Sequence, residues 1–125
     1  MNTIAPPVIL QQDCPVRRVL RLVGDKWSPL VLHCLSTGPW RYNDLRRAIP
    51  DISQKMLTQV LRELETAGLV RREVYELVPP KKTEYHLTET GMRLHEPLAL
   101  LCHWANANVP LLNTVEAAAR ADQPA

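Results

Sequence analysis

Asp51-Ile52-Ser53-Gln54-Lys55-Met56-Leu57-Thr58-Gln59-Val60-Leu61-Arg62-Glu63-Leu64-Glu65-Thr66-Ala67-Gly68 is the stretch on which the fold turns. Ile52, Met56, Leu57, Val60, Leu61 and Leu64 recur at intervals of three and four, the spacing of one helical face. Ser53 stands where an N-cap belongs and Gly68 where a helix stops. The opposite face carries Gln54, Lys55, Thr58, Gln59 and Arg62, all able to hydrogen-bond. Just before it, Asn43 to Ile49 reads as a shorter helix closed by Pro50. Two helices joined by so tight a link form a helix-turn-helix pattern.

Upstream, Pro15 opens a segment with Val16, Val19, Leu20 and Val23 at helical spacing, and Gly24 ends it. A second helix is expected from about Ser28 to Thr37, with Leu30, Val31, Cys34 and Leu35 inward, stopped by Gly38-Pro39. Trp40-Arg41 reads as a short extended link. Downstream, Leu69 to Val78 and Thr83 to Leu87 are strand-like runs around Pro79-Pro80-Lys81-Lys82, a hairpin with a basic tip. Thr88 caps a last helical region with Leu94, Leu98, Leu101, Cys102 and Ala105 apolar and Trp104 alongside. Pro97 is placed to bend it and Pro110 to interrupt it, and fraying is expected from about Ala117.

The chain has 125 residues, 46% hydrophobic and 22% charged, which suits one globular domain and excludes a (β/α)8 barrel. A net charge of +2 does not by itself suggest a polyanion partner. The distribution does. From Pro15 to Lys82 there are 13 cations and 7 anions, an excess of +6. From Thr83 to Ala125 there are 2 cations and 5 anions, a balance of −3, and Asp13 supplies a further −1. The basic excess coincides with the helix-turn-helix and the hairpin. Met1 to Gln12 holds no Lys or Arg, and Val8-Ile9-Leu10 is far too short for a signal or spanning segment. Three cysteines with no C-x-x-C spacing suit a reducing compartment, so a soluble cytoplasmic protein without membrane partners is expected.

The physics of this arrangement fits double-stranded DNA. An α-helix fills the major groove and presents its N-terminal side chains to base edges. Gln pairs bidentately with adenine, Lys donates to guanine, and Thr bonds a base or touches a thymine methyl. Ser53, Gln54, Lys55, Thr58 and Gln59 are therefore the expected readers, with Arg62 one turn on reaching a phosphate. Arg41, Arg46 and Arg47 are placed to grip the backbone and set the register, and Lys81 and Lys82 to meet flanking phosphates or the minor groove. A polar helical face alone is usually only a solvated one, and some winged helices bind proteins and not DNA. The coincidence of turn, hairpin and charge favours DNA. No G-x-S-x-G, P-loop, G-x-G-x-x-G or H-E-x-x-H occurs, so neither an enzyme nor a cofactor is expected. His95 and Cys102 share a helical face, but two ligands do not make a metal site; His33, His86 and His103 form no pattern.

Several runs resemble the HxlR-type winged helix-turn-helix transcriptional regulators of bacteria. They are Cys14-Pro15, Asp25-Lys26-Trp27, Arg41-Tyr42-Asn43-Asp44-Leu45, Ile52-Ser53-Gln54-Lys55-Met56-Leu57 and Leu61-Arg62-Glu63-Leu64-Glu65. Gly68-Leu69-Val70, Val78-Pro79-Pro80, and Glu84-Tyr85-His86-Leu87-Thr88 with Gly91 continue the likeness in unbroken order to about Asn106. The resemblance implies a homodimer on a roughly palindromic operator, repressor-like or activating. The expected fold is mainly α with a small β-hairpin: a winged helix-turn-helix with flanking N- and C-terminal dimerisation helices. Residues 1–13 would be an arm, 14–106 the domain, and 107–125 a helical extension or frayed tail.

Cys14 falls at the N-cap of the first helix, where the helix dipole and Arg17 and Arg18 favour a thiolate and Asp13 opposes it. Such a thiol suits an electrophile or oxidant, and some regulators that this chain resembles sense redox state with a cysteine there. The alternative is a cap that packs under the wing or a dimer helix. Cys34 reads as a small core residue. Val16, Val19 and Leu20 with Leu94, Leu98, Leu101 and Trp104 are the expected dimer interface, the last helix being more apolar than a small domain needs. An apolar pocket for an aromatic effector between subunits is the competing use of those surfaces.

Overall fold

The computed structural model describes residues 13–75 and 82–122. Its elements in chain order are α1 (Pro15–Val23), α2 (Ser28–Leu35), α3 (Tyr42–Ala48), α4 (Gln54–Thr66), β1 (Val70–Val74), β2 (Thr83–Leu87), α5 (Glu89–Ala107) and α6 (Val109–Ala121). This is the expected winged helix-turn-helix, mainly helical with one antiparallel hairpin.

The core lies where α2, α3, α4 and the base of the hairpin meet. Val31, Leu32, Leu35, Leu45, Leu57, Val60, Leu61 and Leu64 are buried there, and Leu69 and Val70 close it from the wing. The inward face of α2 differs from the sequence expectation: Leu30 is 44% exposed, while Leu32 is fully buried. Packing on both α3 and α4 draws in the residues around Val31 and Leu32 and leaves Leu30 outside. The helix also ends at Leu35, earlier than Thr37. The Ser36 and Thr37 hydroxyls donate to the carbonyls of His33 (2.6 Å) and Cys34 (2.7 Å), adding a side-chain donor to carbonyls that also accept backbone N–H groups at the helix end.

β1 and β2 pair in register from Val70↔Leu87 to Val74↔Thr83. β1 covers Val70–Val74 of the expected run Leu69 to Val78, whose last residues, 76–78, lie outside the described residues. The expected link Trp40-Arg41 does more than connect: Trp40 N–H donates to the Tyr85 carbonyl (3.1 Å) and Tyr85 N–H to the Trp40 carbonyl (2.8 Å), a one-residue bridge that joins the link to β2. The hairpin tip with Pro79, Pro80 and Lys81 lies outside the described residues.

Thr88 ties the wing to the last helices. Its hydroxyl accepts from Gly91 N–H (3.0 Å) and donates to the Gly68 carbonyl (2.6 Å). A methyl group at Gly91 would stand 2.1 Å from the Leu69 carbonyl oxygen, so only glycine lets α5 approach β1 this closely. α5 passes through Pro97 without ending. As expected, the helical region is interrupted at Pro110: α5 ends at Ala107, and Pro110 sits in the first turn of α6, where its missing N–H is harmless. α6 continues to Ala121, past the expected fraying point, with an alanine-rich sequence that favours helix. Among the described residues no helix is long and apolar enough to cross a membrane.

Candidate nucleic-acid interface

α4 begins as its sequence requires. Ser53 is extended (φ −76°, ψ 158°), and its hydroxyl accepts from Met56 N–H at 3.0 Å. Leu57, Val60, Leu61 and Leu64 anchor the inner face, so Gln54, Lys55, Gln59 and Arg62 are turned outward and exposed. A groove of about 750 Å³ runs along this face, lined by Gln54, Lys55, Thr58, Gln59, Arg62 and Glu63. Arg62 also sits close enough to Tyr85 on the wing for its charge to lower that phenol's pKa, although burial acts more strongly and raises it.

Besides Ser53, committed to its cap, two more of the expected readers already have partners. Thr58 is half-buried, with its hydroxyl 3.1 Å from that of Tyr42 on α3. Tyr42 in turn donates to the Gln54 carbonyl at 2.9 Å, so this phenol locks the first turn of α4 to α3. The sequence reading did not single out Tyr42, because the contact spans 12 to 16 residues and leaves no local pattern. Gln59 donates from Nε2 to Glu63 at 3.0 Å, one helical turn on. Its amide must leave that partner to meet a base.

The turn between the helices sets their angle. Asp51 has φ +69°, a left-handed conformation that Asp tolerates better than most residues. Beside it, Asn43, Arg46, Arg47 and Ile52 line a hollow of about 240 Å³. Arg46 is exposed, and Arg47 pairs with Asp44 one turn back on α3. Arg41 is exposed at the N-cap of α3. Lys82 is exposed at the base of the wing tip, where its carbonyl accepts from Tyr75 N–H (2.8 Å); Lys81 lies outside the described residues. Two further arginines, which the sequence reading passed over, project from β1. Arg71 pairs with Glu73 (2.9 Å) and Arg72 faces Glu65 of α4 (3.8 Å). Glu73 is held below the ordinary carboxylate range, chiefly by its hydrogen bond from Arg71.

Cys14 is the N-cap of α1, half-buried, with no side-chain capping bond. Cys34 and Cys102 are also half-buried and free, and burial pushes the Cys34 thiol up. Val16 (53%), Leu20 (57%), Leu101 (61%) and Trp104 (47%) are exposed, as is Val19, whereas Leu94 and Leu98 lean on the domain's own core. No group of three metal-ligating side chains occurs among the described residues. His33, which forms no pattern in sequence, meets His95, which shares a helical face with Cys102, across α2 and α5 at 3.1 Å.

A capped helix with an outward polar face, a tight left-handed turn and a hairpin bridged to Trp40 define a winged helix-turn-helix, the class of fold to which HTH-type transcriptional regulators belong. The chain belongs to the HxlR-like helix-turn-helix family, whose model matches residues 22–112. It is 40% identical over 111 residues to the uncharacterized HTH-type transcriptional regulator YdeP of Bacillus subtilis, covering 89% of this chain and 86% of that one. Among solved structures it is similar to the redox regulator HypR in its reduced form, at 40% identity and TM-score 0.76, covering 80% of this chain and 98% of that one. The reduced form of the transcriptional regulator YodB from B. subtilis is similar at 38% identity and TM-score 0.64, covering 74% and 91%.

Proposed function

We propose that this chain is a dimeric, repressor-like regulator that reads a palindromic operator through α4 and its wing. The observation that carries the reading is the outward face of α4. Gln54, Lys55, Gln59 and Arg62 stand exposed on a helix whose start is locked by Ser53 and Tyr42, which presents them in one rigid arrangement. Arg41, Arg46 and Arg47 flank it, and Lys82 extends the cationic surface to the base of the wing tip; Lys81, its neighbour in sequence, is proposed as a further phosphate contact. Thr58 contributes by position, through Tyr42. A second copy doubles the contact, and the exposed apolar faces of α1 and α5, with Val16, Val19, Leu20, Leu101 and Trp104, supply its seat over Leu94 and Leu98.

Thiol modification at Cys14 is the switch favoured by two observations. The cysteine caps α1 at the edge of that apolar face. The similar structures include a redox regulator described in both oxidised and reduced forms. Selection of bound duplexes from genomic DNA, with and without diamide, tests both parts. A recovered inverted repeat is expected, released by diamide in the wild type and retained by Cys14→Ser. Recovery of no common sequence would sink the operator reading, and equal release from the variant would sink the thiol switch.

A further inference from the structure

His33 on α2 and His95 on α5 meet across the seam between these helices. His33 Nδ1 lies 3.1 Å from His95 Nε2, and the ring centroids are 5.3 Å apart with planes inclined at 30°. His95 is 8% exposed, while His33 reaches the surface. The seam matters because α2 also packs on α3 and α4, and α5 carries Leu101 and Trp104. The two rings thus join the DNA-reading core to the helix with the exposed apolar face.

A neutral imidazole offers one N–H donor and one bare nitrogen acceptor, so a bond between two rings needs a bare nitrogen on one of them. With both rings protonated, two N–H groups and two positive charges would oppose each other at this distance. Among the described residues no carboxylate offsets that repulsion: burial and then the charge of His33 lower the His95 pKa. On α2 the neighbouring ionisable group is Cys34, kept protonated by burial. On α5, Arg93 and Glu96 are exposed, and Cys102 and His103 lie two turns on. β2, also packed on α5, commits His86 to Glu73 (3.3 Å) and Glu84 (3.7 Å), and Glu116 and Arg120 of α6 are exposed. The folded chain therefore holds a proton at His95 more weakly than the unfolded chain does. Its stability is greatest above the ordinary histidine range of about 6.5 and falls as pH drops below it.

We infer that the His33–His95 pair is a proton-operated latch on the α2–α5 seam, closed while one ring is neutral and opened when acid charges both. Acidification then loosens α5 from the core and lowers operator affinity. The last step rests on the proposed DNA reading; the latch itself does not.

Amide hydrogen exchange of the full chain, corrected for intrinsic rates, tests the latch at about pH 7.5 and about pH 5, either side of the histidine range. Opening at α2 and α5 amides is expected to rise about fivefold in acid, the worth of one lost hydrogen bond. In His95→Gln the amide oxygen accepts from His33 in either charge state, so the response should vanish. A flat wild type, or an undiminished response in His95→Gln, overturns the latch. Should that variant fail to fold, NMR titration of the two wild-type imidazoles decides: coupled steps support the latch, and independent ordinary titrations overturn it. Anisotropy with the selected duplex then reads the affinity. A fall in acid for the wild type but not for His95→Gln supports the coupling, and equal falls overturn it. A chain that binds no duplex at neutral pH overturns the DNA reading and leaves exchange to judge the latch.

Discussion

Asp51 holds the turn between α3 and α4 at φ +69°, where a Cβ is crowded and a short polar side chain is tolerated. Asp51→Ala should cost about 0.5–1 kcal/mol in urea unfolding, since it loses the local polar contacts that let Asp tolerate this conformation, while Asp51→Gly, which has no Cβ, should cost less. Equal losses would show that the side chain's polar contacts, and not its backbone, matter. At this scale the sequence was partly legible. Ser53 and Thr88 were readable as caps because each bonds a backbone N–H three residues on. Thr58 was read as a base contact and is found against Tyr42, 16 residues away, and His33 and His95 are 62 apart. Nothing local in a sequence records a bond of that span.

α4 combines both kinds of information. Its apolar stripe was legible from period alone, and Leu57, Val60, Leu61 and Leu64 are all buried. The stripe of α2 was misread at Leu30 because the helix is apolar nearly all round, so periodicity could not choose its inner face. Trp40 was read only as a link, though it bridges to β2, since one residue pairing with a distant strand carries no alternation to detect. Two substitutions separate the forces on α4. Leu57→Ala should lose about 2–5 kcal/mol by leaving a cavity in the core, and Ser53→Ala about 1 kcal/mol by losing the cap. Calorimetric unfolding checks both. If the cap proved as costly as the core residue, packing would not be what holds α4 in place.

The proposed function divides the molecule into a DNA-reading surface on α4 and the wing and a dimer seat on α1 and α5. Trp104 and Leu101 are about half exposed or more, so Trp104→Glu should leave the monomer folded while shifting sedimentation from dimer to monomer. A dimer unmoved by that change would place the seat elsewhere. Overall charge disguised this division, because an excess of +6 around the helix-turn-helix nearly disappears in a chain total of +2. The central claim, that α4 reads bases while α3 and the wing hold phosphates, rests on one comparison. Anisotropy with the selected operator and a scrambled duplex, across a range of salt, should separate Gln54→Ala from Arg46→Ala. Arg46→Ala should weaken both duplexes alike and flatten the salt dependence, by about one charge per subunit. Gln54→Ala should keep the salt slope and lose about 1–3 kcal/mol of discrimination. Uniform weakening by Gln54→Ala, with discrimination intact, would contradict the account.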